Sequence, residues 1–326
     1  MTWIYIMIFI VSAIVSAFAA VQLSKHADTI SKQTKLGGVL IGTIFLAVAT
    51  SLPELTATIP ASLIGSADIA VGNGLGSVLF NIFFLFLLDL HFRNKRLFLR
   101  VSHTHIYTGV VALLLCTVTG IGLAANLSIS ALNIGLISFI IAFIYIGGMW
   151  FLSKTEKPEA TEEADTLLTT DSTVRQTVKK FILFAFVIFV FGSALSLTGD
   201  AIAKNTGMST STVGSILVAL ATSIPDAMGV YTALRLSNVN LAIGTILGSN
   251  VFNILVIAIG DVFYLKGDIW QDTSSDLMYM SIVGFILTAL VMLITKRDRT
   301  RNTFTYSLPS AVAVVTYLIV VGYIII

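Results

Sequence analysis

Residues 49–54 read ATSLPE and residues 221–226 read ATSIPD. The match extends well beyond the two hexapeptides. At a constant offset of 172 residues, Gly42 pairs with Gly214, Ala47 with Ala219, Pro53 with Pro225 and Glu54 with Asp226. Further along, Gly72, Gly76, Ser77 and Asn81 pair with Gly244, Gly248, Ser249 and Asn253, with no gap. One shared polar residue would carry no weight. This many in one register mean an internal duplication.

The chain around these copies is apolar. Of its 326 residues, 56% are hydrophobic and only 11% are charged, where a soluble domain carries about 25% charged residues. Apolar runs near twenty residues recur along its length, which is the mark of membrane-spanning helices. A spanning backbone must satisfy its own hydrogen bonds, and no barrel-like alternation is present, so the spans are helical. Ten are expected, with cores near 3–23, 38–64, 68–90, 104–125, 129–152, 178–198, 210–234, 239–263, 277–295 and 304–325. The first, Ile4 to Val21, lacks a basic leader and a cleavage site and is read as a retained span.

Five spans separate the two copies. Five is odd, so the second copy enters the membrane in the opposite sense, as an inverted-topology repeat about an axis in the membrane plane. The expected fold is therefore an all-α polytopic membrane protein of ten helices in two inverted five-helix halves. The first half is 1–153, with its repeat at about 38–90. The second is 177–326, with its repeat at about 210–263. The stretch 154–176 between them is polar and acidic, and is read as a solvated hinge.

Lys and Arg counts set the orientation. The loops after spans one, three, five, seven and nine hold 17 of the 19 basic residues, and the other side holds only Lys204 and Lys266. Both termini are expected outside the cell and the 154–176 loop in the cytoplasm, in a multi-pass plasma-membrane protein. Trp3, Trp150 and Trp270 fall near span ends, as interfacial tryptophans do. His26, His91, His103 and His105 are read as interfacial too. The single cysteine, Cys116, lies in an apolar run and is read as a small buried side chain.

Of the 17 acidic residues, most lie in loops or at span ends, whereas Glu54 and Asp226 lie well inside apolar spans at equivalent places in the repeat. A carboxylate at that depth is costly and points to function. Pro53 and Pro225 stand directly before these acids. Each removes a backbone N–H and obstructs the carbonyl four residues back, at Ala49 or Ala221, and disturbs the turn that holds Ala47 or Ala219. Both helices are expected to break or kink there, and Gly76 and Gly248 are expected to be helix-breaking in the partner segments. Carbonyls freed inside a membrane need a partner, and a cation is one. The partner segments GNGLGSVLFN (72–81) and GTILGSNVFN (244–253) carry glycines that allow close backbone approach. Ser77 and Asn81 are four apart and share a helix face, as do Ser249 and Asn253. The resulting donors are all oxygens, which suits hard cations such as Ca²⁺ and Na⁺. No Cys or His pattern fits zinc or copper.

These motifs resemble those of the sodium/calcium exchanger family, within the wider calcium/cation antiporters, whose repeats typically read GTSLPE and GN-x-x-GSN-x-x-N or -D. The resemblance implies ten helices with spans two, three, seven and eight as the core, and spans one and six sliding across it to switch access. It implies that Glu54 and Asp226 bind Ca²⁺. Thr50, Thr222, Ser77 and Ser249, with the backbone oxygens of Ala47 and Ala219, would be the remaining calcium and sodium ligands. Ser51, Ser223, Asn81 and Asn253 would form the middle site. The implied activity is exchange of Ca²⁺ for Na⁺, with no cofactor, by a chain that works as a monomer. Its partners would be inorganic cations and the lipid bilayer, and no nucleic acid.

Four positions depart from the family pattern. Ala49 and Ala221 replace glycine, Val78 replaces the asparagine of GSN in the first copy, and Asp226 is one methylene shorter than the glutamate often found there. Asn253, where potassium-dependent relatives carry aspartate, argues against potassium dependence. The segments after Gly76 and Gly248 lack the glutamate that calcium/proton exchangers typically carry in place of Ser77 or Ser249. Two titratable acids still permit exchange of Ca²⁺, or of another divalent cation, for H⁺. A reading from another class, an intramembrane aspartyl protease with Glu54 and Asp226 as its dyad, lacks the YD and GxGD motifs. A non-transporting membrane sensor is the remaining alternative.

Overall fold

A computed structural model describes residues 2–34, 49–102, 104–125, 130–131, 133–155, 174–297 and 302–325. Gly42, Ala47, His103 and most of the 154–176 hinge lie outside the described residues, as do residues 35–48 at the start of the expected second span.

Among the described residues, nine helices are long and apolar enough to cross a membrane: α1 (Thr2–Thr34), α3 (Ala67–His91), α4 (His105–Ala125), α5 (Leu136–Thr155), α6 (Val174–Thr206), α7 (Thr210–Arg235), α8 (Val239–Val262), α9 (Asp276–Thr295) and α10 (Thr303–Ile325). The second expected span is described over the twelve-residue helix α2 (Leu52–Leu63). The helices follow the ten expected spans in order.

Burial separates an inner set from an outer one. Within their most apolar windows, 78% of α3 and 72% of α8 is buried inside the protein, against 22% of α1 and 17% of α10. With no water to drive apolar faces together, close helix packing in a bilayer depends on small and polar residues. That is what α3 and α8 carry: Gly72, Gly74, Gly76, Ser77 and Asn81 on one, Ser249, Asn250 and Asn253 on the other. α1 and α6 lie against each other along their length, and α6 also covers α2. Each has 33 residues, about 50 Å of helix, longer than a hydrocarbon core of about 30 Å. The extra turns of α1 hold His26, which stacks on Phe184 of α6 at 5.7 Å between ring centroids.

The two prolines act differently. Pro53 stands in the first turn of α2, and the helical path is interrupted just before it at Ser51, where φ is −94° and ψ is 13°. Pro225 lies inside α7 without breaking it. The irregularity sits about two to three turns earlier, in a π-helical stretch at Val213–Val218, where the Ala219 N–H donates to the carbonyl of Gly214 five residues back. A π turn accommodates one extra residue in a helix and recurs at functional sites. The Thr222 hydroxyl donates to the Ala219 carbonyl at 3.2 Å, and the helix runs on through Pro225 where a break or kink was expected.

Gly76 and Gly248 also depart from expectation. Both stand inside continuous helices, α3 and α8. A lone glycine costs a helix about 1 kcal/mol, which packing readily overrides. The close approach is the real use of Gly76: a Cβ there would lie 2.1 Å from the Ser215 carbonyl oxygen in the π turn. The connections after α4 and α8 hold a small antiparallel hairpin, Ser130–Ala131 with Ile134–Gly135, and a short helix, Ile269–Asp272. Neither has a hydrophobic period to announce it.

Candidate cation site

Helices α2, α3, α7 and α8 pack against one another at the centre of the protein. The two acids within them are sealed from solvent, Glu54 at 0% exposure and Asp226 at 2%. Three sets of hydrogen bonds tie the repeats together. The Ser223 hydroxyl donates to Glu54 Oε1 at 3.2 Å. The Asn81 amide donates to Asp226 Oδ2 at 3.4 Å and to Asn250 Oδ1 at 3.1 Å. Asn73 Nδ2 donates to the Glu54 carbonyl at 3.1 Å and to Thr58 Oγ1 at 2.9 Å, while its Oδ1 accepts from Thr222 Oγ1 at 3.1 Å. All three sets cross from α2 or α3 of the first repeat to α7 or α8 of the second, so both copies of the motif share one polar centre.

The pairing is unequal, for a simple reason of length. Glu54 reaches Ser223, but its repeat counterpart Asp226 is one methylene shorter and does not bond Ser51, the counterpart of Ser223. Asp226 instead takes Asn81, whereas Asn253, the counterpart of Asn81, makes no such bond to Glu54. The atoms left over form a coherent set. Among the described residues, Ser51 Oγ, Glu54 Oε2, Ser77 Oγ, Asn81 Oδ1, Asp226 Oδ1 and both amide atoms of Asn253 are buried without a hydrogen-bond partner. Buried polar groups rarely lack partners, and here seven such atoms belong to residues of the two motifs. All but the Asn253 nitrogen are oxygens with lone pairs to offer, the chemistry that a hard cation takes.

Among the remaining candidates, Ser249 and Ala219 are buried and Thr50 is half-buried. Three participants carry no mark in the sequence beyond their place in the motifs. Asn73 holds the first turn of α2 to α7, and Thr58 is one of its acceptors. Asn250 meets the position of the Val78 departure through its backbone: the Asn250 amide donates to the Val78 carbonyl at 3.4 Å, across a separation of 172 residues. Asn250 thus bonds the backbone of its own repeat counterpart. The sequence signal was there, in the G-N-G run around Asn73 and in the unmatched 78/250 pair.

Among the described residues, no group of three or more His, Cys, Asp or Glu side chains converges as a metal cage, so a cation here relies on two carboxylates and neutral oxygens. A second polar depression, about 280 Å³, is lined by Asp68, Asp200, Asp272, Lys204 and Lys266. Its charges are already engaged: Lys204 pairs with Asp200 at 2.6 Å, and Asp68 accepts from Thr210 at 2.6 Å and from the Ser274 N–H at 2.6 Å. Two lysines make it a poor cation site.

The sequence pattern of the family described as sodium/calcium exchanger protein matches residues 4–154 and 179–326. The chain belongs to the sodium/calcium exchanger protein family. As a member of that family it is a membrane cation antiporter and not an enzyme, which displaces the protease reading. The putative antiporter CaxA of Alkalimonas amylolytica is 27% identical over 260 residues, covering 78% of this exchanger-family chain and 79% of its own. The solved structure of the sodium-calcium exchanger NCX_Mj superposes with a TM-score of 0.62 at 19% identity, covering 99% of both chains. That of the H⁺/Ca²⁺ exchanger CAX gives 0.62 at 14% identity, covering 98% of this chain and 88% of its own. At such identities the likeness speaks for the fold, a pair of inverted five-helix halves.

Proposed function

We propose that this antiporter exchanges Ca²⁺ for Na⁺ by alternating access at one midplane site, where Glu54 and Asp226 share the cation. The observation that carries the reading is the set of buried, partnerless oxygens on both acids and on Ser51, Ser77 and Asn81. Thr50, Thr222, Ser249 and the carbonyls of Ala47 and Ala219 complete the ligand set, with Ser51, Ser223, Asn81 and Asn253 around its middle.

Charge arithmetic turns this site into an exchanger. Two carboxylates are neutralised by one Ca²⁺ or by monovalent cations, so the loaded states are of similar energy. The unloaded state leaves two uncompensated charges in a dry interior, a state that costs several kcal/mol. The carrier therefore crosses loaded. The long outer pair α1 and α6 is the element that slides over the core. Thr56 of α2 bonds the Ile188 carbonyl of α6 at 3.3 Å, and Ser196 of α6 bonds the Ala57 carbonyl of α2, contacts that must break and re-form as α6 moves. Serine at both 77 and 249 supports Na⁺ as the counter-ion. Protons are the second reading, favoured by the presence of two titratable acids and by the equal structural likeness to an H⁺/Ca²⁺ exchanger. We place both termini outside the cell, the 154–176 hinge in the cytoplasm, and the transporting unit as a monomer in the plasma membrane.

The test is ⁴⁵Ca²⁺ uptake into proteoliposomes under an imposed Na⁺, K⁺ or H⁺ gradient, one at a time. Uptake driven by Na⁺ alone is expected. Uptake driven only by H⁺ would replace the Na⁺ reading, and no Ca²⁺ uptake under any gradient would refute the Ca²⁺ assignment.

A further inference from the structure

The 172-residue register continues past the motifs to a second pair of acids. Asp89, near the end of α3, corresponds to Asp261, near the end of α8, and both are buried, at 0% and 1% exposure. Their partners follow the same register. Ser310 of α10 donates to Asp89 Oδ2 at 2.6 Å, and Ser138 of α5 donates to Asp261 Oδ2 at 2.6 Å. Ser138 and Ser310 are themselves 172 apart. Each acid thus bonds the last helix of the opposite half, and the inversion puts the two locks at opposite membrane faces.

The loops beyond each acid close the lock. Tyr306 of α10 donates to Asp89 Oδ1 and accepts from the Phe98 N–H at 3.2 Å. At the other face the Trp270 indole donates to Ser138 at 2.8 Å, and Asp261 accepts from the Gly135 and Ile269 N–H groups at 2.8 and 2.9 Å. Phe98 and Trp270 are again 172 apart. Among the described residues neither acid forms an ion pair, so each carboxylate is held by neutral donors alone.

Asp89 lies eight residues beyond Asn81 on α3, and Asp261 eight beyond Asn253 on α8, about 12 Å of helix in each case. We propose that Asp89 and Asp261 are a symmetry-related pair of positioning residues. Each fixes the far end of a site helix to the opposite half and so sets where Ser77, Asn81, Ser249 and Asn253 stand in the cation site. This rests on the site proposed above, whose failure the test below reads separately.

The donors differ, and the difference makes the idea testable. Asp89 is held by two hydroxyls, which can rotate to accept from an amide. Asp261 is held by two backbone N–H groups and one hydroxyl, and an N–H cannot reverse. Asp89→Asn therefore keeps its lock, whereas Asp261→Asn sets an NH₂ against a backbone N–H and orphans a buried donor. Ca²⁺ affinity is measured by calorimetry on the purified full chain, with melting temperature alongside. Asp89→Asn is expected within about twofold of the wild-type affinity, and Asp261→Asn and Asp89→Ala about tenfold weaker or more. If Asp261→Asn does not fold, Ser138→Ala carries the test, with an expected loss of about fivefold. Equal loss in Asp89→Asn and Asp261→Asn would overturn the proposal, because the charge itself would then be in use. Lowered melting temperatures with unchanged Ca²⁺ affinity would overturn it too, because the acids would then only hold the fold. Absence of Ca²⁺ binding by the wild type would instead refute the cation site.

Discussion

Replacing Glu54 with glutamine tests the charge of the site while sparing its shape. The carboxamide oxygen still accepts from Ser223, whose hydroxyl lies 3.2 Å from Glu54 Oε1, and the other position is an oxygen with no partner to lose. Two unit charges 4 Å apart interact by about 4 kcal/mol at an effective dielectric of 20, so a divalent ion gains roughly 8 kcal/mol from one carboxylate. The neutral oxygen of glutamine and the desolvation that glutamate no longer has to bear offset about half of that. The remaining ~4 kcal/mol is roughly a thousandfold in affinity. Folding moves the other way, since two carboxylates buried in one dry centre carry an uncompensated charge cost and the variant removes one of them.

Thermal unfolding of the purified protein reads both effects at once. At a Ca²⁺ concentration 100 times the wild-type Kd, binding stabilises the wild type by about 2.7 kcal/mol. The same concentration stabilises the variant by less than ~0.1 kcal/mol. The expected result is a cation-free melting temperature at or above wild type, with no upward shift on adding Ca²⁺. A Ca²⁺-induced shift equal to that of the wild type would refute the reasoning, since Glu54 would then not hold the ion.

Further outcomes follow from the inequality between the repeats. Ser51→Ala removes a hydroxyl that bonds no atom among the described residues, so cation-free stability is expected to hold while Ca²⁺ affinity in calorimetry falls. Ser223→Ala removes the donor to Glu54 and is expected to lower cation-free stability by about 1 kcal/mol as well. Asn73→Ala strips partners from Thr58, Thr222 and the Glu54 carbonyl, with an expected cost of roughly 1–3 kcal/mol in the unfolding midpoint. Gly76→Ala forces α3 off the π turn, because its Cβ would lie 2.1 Å from the Ser215 carbonyl oxygen. Transport is expected to be lost in the ⁴⁵Ca²⁺ uptake assay, while Gly147→Ala, exposed on α5, is expected to transport at the wild-type rate.

The parts of the fold legible in the sequence are those that the bilayer enforces. Apolar runs show the spans, because a lipid-embedded backbone has few alternatives to helix. Glu54 and Asp226 stand out because carboxylates are rare at that depth, and the ATS-P repeat gives their register. Asp89 and Asp261 were hidden for the opposite reason: acids are ordinary at span ends, and the donors that mark these two as buried lie 217 and 123 residues away. Asn73 and Asn250 are neutral and gain meaning only from what they bridge. The π turn before Ala219 leaves no sequence signature either, since the backbone shifts its bonding about two to three turns upstream of Pro225.

The measurement closest to the central claim is anomalous diffraction from crystals soaked in Sr²⁺, a heavier stand-in for Ca²⁺. The account predicts one strong peak between α2 and α7, within bonding distance of both the Glu54 and Asp226 carboxylates. A peak confined to the depression beside Asp68 and Asp200, with nothing between the two acids, would contradict it.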